Sequence, residues 1–142
     1  MPSLLNEVFS DESSTEPLVL IKSDSPYFTI VKCNNAFLAV SLMAGTDIIG
    51  KSMTELYAWN SENEESALLI HDLLNEAITK KEIITLPAVR YDLPPEAGKE
   101  LEASWWQAIY EPILDNDGKV EFLLCITRNI TAQMQINSSE NI

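Results

Sequence analysis

Few residues in this chain are of a type that does chemistry. Among 142 residues there is one histidine, His71, and two cysteines, Cys33 and Cys125. Nucleophilic catalysis needs a Ser, Cys or Lys within reach of a base, and neither a G-x-S-x-G stretch nor an assignable partner for His71 is present. Both cysteines sit in apolar runs, "TIVKC" and "FLLCI", where the thiolate is disfavoured, so buried free thiols are expected rather than a disulfide. No CxxC or HExxH spacing offers a metal site. Glu62, Glu64 and Glu65 crowd a helix start and read as a solvated face, not an acid pair. The four glycines form no phosphate-binding loop. "DNDGK" lacks the spacing and closing Glu of a calcium loop. Asn129-Ile130-Thr131 matches a glycosylation sequon, which matters only in a secreted chain. A small α+β isomerase needs a buried acid in an apolar cone. Asp92 or Glu111 are the candidates, and neither has a persuasive apolar setting.

The totals narrow the classes further. The length suits one domain, and 46% hydrophobic residues are enough for a core. Net charge is -13 with only 9 Lys and Arg, which argues against nucleic acid and against anionic membranes as partners. No apolar run is long enough to span a bilayer, and the start of the chain has neither the basic residue nor the apolar length of a secretory signal. A soluble, cytoplasmic chain is expected.

The elements that position these residues follow from periodicity. Leu4, Leu5, Val8 and Phe9 have helix spacing behind Ser3, and "SDESSTEP" is a polar linker. "LVLIK" and "FTIVKC" predict two strands of an antiparallel hairpin. Asn34 is placed to cap a helix over "NAFLAVSLMA", which Gly45 ends. Ser52 with Glu55 has capping-box spacing for a second short helix. The long helix within "SENEESALLIHDLLNEAITKKE" has acidic residues first and Lys80-Lys81 last, as its dipole favours. Ala67, Ile70, Leu74, Ala77 and Ile78 form its apolar face, with His71 on the edge. "EIITLPAVRYDL", "LEASWWQAIYEPIL" and "VEFLLCITRN" predict three strands, the last two joined at Asp117-Gly118. Strands, then helices, then strands, without β-α alternation, predict an α+β fold with a largely antiparallel sheet.

Several stretches together resemble the PAS family. "FTIVKCNNAFLA" is similar to its second strand and first helix, with Asn34, Ala36 and Phe37 on the motif positions. "DIIGK" resembles the step before the next helix. "WWQAIYEPILDNDGKVEFLLCITRNIT" resembles the ending: a strand with Trp, a Pro, a D-x-x-G turn, a last strand and an Asp-Ile/Val-Thr signature. "VRYDLP" is similar to the PAS domains near the N-terminus of bacterial sensor histidine kinases. The resemblance covers residues 15–132, leaving 1–14 as N-terminal helix and linker and 133–142 as the start of a signalling helix, with more chain expected after Ile142. It implies a five-stranded antiparallel sheet of order 2-1-5-4-3, helices on one face, and a sensory or relay function rather than catalysis in this domain. The signature departs at Asn129, where the family usually has Asp. Asn still caps, but cannot form an ion pair.

The resemblance also implies where sites fall. A small-molecule pocket would lie between helical Phe37, Ile70, Leu74 and Ile78 and last-strand Leu123, Cys125 and Thr127, because alternate strand residues share a face. A filled core without ligand or cofactor is the competing expectation. Haem on His71 is the alternative cofactor reading. Flavin photochemistry is not expected, because Cys33 precedes the Asn on a strand and the helical N-C-R-F motif is missing. Arg128, Asn129, Ile130 and Thr131 would be the signal exit to a downstream kinase or other output domain. Phe122, Leu124 and Ile126 point to the opposite sheet face. Trp106, Ala108 and Tyr110 share one face of the neighbouring strand, and Trp105 and Ile109 the other. An apolar sheet face needs a cover, so either the Leu4, Leu5, Val8, Phe9 helix or a second copy in a homodimer is expected there.

Overall fold

The computed structural model describes residues 16–41, 45–57, 64–90 and 104–134. Their order is β1 (Leu18–Lys22), β2 (Ile30–Cys33), α1 (Asn35–Val40), α2 (Met53–Tyr57), α3 (Glu64–Lys80), β3 (Ile84–Arg90), β4 (Trp105–Leu114) and β5 (Val120–Asn129). The expected N-terminal helix with Leu4, Leu5, Val8 and Phe9 lies outside the described residues, as do Asp92 and Glu62.

The strands form one sheet, ordered β2-β1-β5-β4-β3 among the described residues. Each neighbouring pair is antiparallel. The last strand is central, bonded on one side to β1 and on the other to β4. A simple five-strand picture needs one correction. The β3–β4 ladder shifts register between Leu86 and Val89, so Ile84–Leu86 and Val89–Arg90 pair with β4 as two segments. Pro87 falls in that break, where its missing N–H removes a ladder bond.

Two element boundaries also differ from expectation. "FTIVKC" predicts a strand from Phe28, yet β2 begins at Ile30. Phe28 has φ 51°, a turn conformation, and its ring is fully buried. Burial of that ring compensates a backbone position that bulky residues disfavour. The first helix ends at Val40, not near Gly45, because Ser41 turns to φ -90°, ψ 2° while its N–H still reaches the Phe37 carbonyl. The β4–β5 turn forms where expected: Gly118 takes φ 79°, and Asp115 Oδ1 receives the N–H groups of Asp117 and Lys119 at 2.8 and 3.0 Å.

Alternation along the strands separates two apolar layers. Val19, Ile21, Ile30, Leu86, Trp106, Ala108, Tyr110, Leu123 and Cys125 join Phe37, Ile70, Leu74 and Ala77 in the main core. On the other face Leu20 and Leu124 pack with Val31, Ile113 and Phe122. Leu20 and Leu124 are only 3% and 7% exposed, although no residue of the described helices takes part in that second cluster.

Candidate functional site

The helix side of the sheet brings together most of the expected pocket residues. Phe37 from α1, Ile70 and Leu74 from α3, and Leu123 and Cys125 from β5 are all buried in one cluster, with Ile78 packed against it. The ladder explains the convergence. Val19 pairs with Cys125, Ile21 with Leu123, and Tyr110 with Cys125, so side chains two positions apart on three adjacent strands share this face. Thr127 continues the row opposite Ala108 and is half-buried. The same volume also holds Phe28, Ile48 and Met53, each at most 1% exposed. Sequence spacing did not single these out, because they lie in turns and at a short helix start, where no periodicity marks the inward side.

The two thiols lie on this face. Cys33 and Cys125 both pair with Val19 from opposite sides. Two strand spacings put them about 9–10 Å apart, beyond the roughly 7 Å limit between Cα atoms for a disulfide. Both are free. Burial pushes the Cys125 thiol far up. Burial, helped by nearby Asp47, also raises Cys33. Neither thiol is activated by its surroundings. Burial likewise pushes the Tyr110 phenol well above its usual range.

His71 stands at the rim of this core. Its ring meets Phe28 edge-on, with centroids 5.4 Å apart, and its Nδ1 is 3.3 Å from the Asn75 amide. These contacts hold one ring edge and one nitrogen in protein packing. Glu111 pairs with Leu124, which places it on the face away from the helices. It cannot serve as a buried acid in the helix-side core.

The exit residues are bound into a compact joint. The Ile130 N–H donates to the Trp105 carbonyl at 2.8 Å, and the Trp105 N–H donates to Thr131 Oγ1 at 3.0 Å. The Thr131 hydroxyl in turn donates to Asn129 Oδ1 at 2.6 Å, and the Thr131 N–H donates to the same oxygen at 3.0 Å. Residues 131–134 then form a helical turn, closed by the Met134 N–H on the Ile130 carbonyl at 3.0 Å. Asn129 therefore supplies the cap, a role for which a neutral amide oxygen suffices.

Where the chain comes in, Asn34 does more than cap α1. Its Oδ1 receives the N–H of Phe37 at 2.9 Å and that of Leu18 at 3.0 Å, while its Nδ2 donates to the Glu16 carbonyl at 2.7 Å. Glu16 then meets Arg128 in a forked ion pair, with the shortest contact 3.0 Å. Neither the Asn34 bridge nor the Glu16–Arg128 pair was legible in sequence, because both join positions brought together by strand pairing.

A central last strand, helices packed on one face and a bonded strand-to-helix exit define an antiparallel α+β domain. The profile of the family described as the PAS fold matches residues 11–135, and the chain belongs to that family, whose domains are generally sensory rather than catalytic. No curated protein matches the chain. Among solved structures it is similar to a sensory box sensor histidine kinase from Vibrio cholerae, at 23% identity over 90% of each chain with TM-score 0.57. The PAS domain of a protein from Colwellia psychrerythraea is 14% identical, over 92% of this chain and 99% of that one, with TM-score 0.65. The PAS domain of the fruit-fly ELK potassium channel is 16% identical over 91% and 96%, with TM-score 0.61. Among the described residues no helix is long and apolar enough to cross a membrane.

Proposed function

We propose that this domain is a signal-input and relay module of a bacterial signal-transduction protein, with a histidine kinase as its output. The observation that carries the reading is the position of β5. It touches the helix-side core through Leu123 and Cys125 and the opposite layer through Leu124, and it runs unbroken to Asn129 at the joint. A small ligand among Phe37, Ile70, Leu74 and Cys125, or a partner on the other face, would bias the same strand. Either shifts the output only by favouring one of two arrangements of the joint.

Association of two copies is the second part of the proposal. The outer face carries a row across four strands, Lys32, Leu20, Leu124 and Glu111. Leu20 and Leu124 are already nearly buried within one chain, so a second copy would meet the ends of this row: a two-fold axis parallel to the strands, between β1 and β5, sets Lys32 over Glu111 of a second copy. That pattern is self-complementary in charge.

Substitution Asn129→Ala in the full-length protein tests the relay. Altered output or altered regulation is expected, and unchanged output with unchanged regulation defeats the reading. Light scattering tests the pairing: a dimer is expected, Glu111→Lys should convert it to monomer, and a strict monomer at high concentration removes it. Native mass spectrometry of the purified protein reads any copurifying small molecule. A Soret band after haem addition would favour the His71 alternative.

A further inference from the structure

We propose that the Glu16–Arg128 pair is a latch between the segment entering the domain and the joint leaving it. Through it, whatever precedes Glu16 sets the joint without reference to the helix-side core. The inference rests on reading residues 128–131 as a joint, and adds a second input to it.

Three features carry the idea. The contact is forked: Arg128 Nε lies 3.2 and 3.1 Å from the two Glu16 oxygens, and Nη2 lies 3.0 Å from one of them. Forked geometry fixes direction as well as distance. Second, Glu16 is anchored on its own side. Its carbonyl receives the Asn34 amide at 2.7 Å, and the next carbonyl, of Pro17, receives the Thr127 N–H at 3.1 Å. The incoming segment and the end of β5 are therefore held side by side by backbone, and the ion pair closes the last position before Asn129. Third, the two side chains are 42% and 46% exposed, so the pair is accessible to water and salt. An exposed pair is weak, which suits a contact meant to open while the sheet stays folded.

Amide hydrogen exchange on this chain tests the latch. Glu16→Gln and Arg128→Gln should each speed exchange at Ile130, Thr131 and Met134 by about two- to fivefold, while Leu123 to Cys125 stay as in the wild type. Reversing the pair, with Glu16→Arg and Arg128→Glu together, should restore protection. High salt should reproduce the effect in the wild type and add nothing in the single variants. Unchanged exchange in the single variants overturns the latch. So does a uniform rise along β5, or a reversed pair that fails to restore protection. The readout is local structure, so the latch stands or falls whatever Asn129→Ala does to output.

Discussion

The backbone N–H of Trp105 donates to the hydroxyl oxygen of Thr131 at 3.0 Å, across 26 positions of sequence. The same hydroxyl donates to Asn129, so one side chain joins the start of β4 to the turn that follows β5. Thr131→Val keeps the shape and removes both bonds. We expect a loss of about 1 kcal/mol, with exchange raised at residues 130–134 first, and near-full recovery with Thr131→Ser. Urea midpoints together with residue-resolved exchange check this. A midpoint shift without a local rise in exchange would contradict it.

Asn34 carries three hydrogen bonds that tie α1, β1 and Glu16 together. Asn34→Ala should cost about 1–3 kcal/mol, because two backbone N–H groups and a carbonyl lose their partner. Asn34→Asp keeps the acceptor but sets a carboxylate against the Glu16 carbonyl, and should fall between the two. Chemical denaturation of the three proteins gives the order.

Asp24 makes stability depend on pH. Partial burial works against its charged form, but the Thr29 hydroxyl and amide outweigh that, with Lys22 nearby, and hold the carboxyl below its usual range. The contacts are 2.5 Å from the hydroxyl and 2.8 Å from the amide. A depressed carboxyl stabilises the fold above the unfolded value and loses that contribution as pH falls through the folded value. Asp24→Asn should therefore be less stable than wild type at neutral pH, and the gap should close as pH drops from about 5 towards 2. Parallel denaturation at several pH values measures it.

The thiols should differ sharply in reactivity. Cys125 is 1% exposed and Cys33 is half-buried. A thiol reagent should label Cys33 slowly in the native state and label Cys125 only at the rate of unfolding. Oxidation should not link them within one chain. Mass spectrometry of timed labelling distinguishes the two sites.

Neighbouring residues of β5 should separate the two faces. Leu123 is fully buried in the main core, so Leu123→Ala should cost about 2–5 kcal/mol. Leu124→Ala removes a contact of the small outer layer and should cost less. If thermal melts showed the same loss for both variants, the division of faces would be wrong.

Local chemistry is legible in a sequence where one residue determines it alone. The Asn34 cap, the Asp117-Gly118 turn, the alternation along "FLLCIT" and the apolar stripe of the long helix could all be read that way, because each depends on neighbours within one turn or one hairpin. The place of β5 in the middle of the sheet followed from the resemblance of the motifs to the PAS family. Tertiary structure alone decided what crosses elements. Phe28 is buried although it sits in a turn at positive φ, and His71 lies against that ring. Glu111 faces away from the helices, and Glu16 finds Arg128 112 positions along the chain. These contacts depend on strand register and on how the helices lie over the sheet, and a shift of one residue would turn each side chain to the other face.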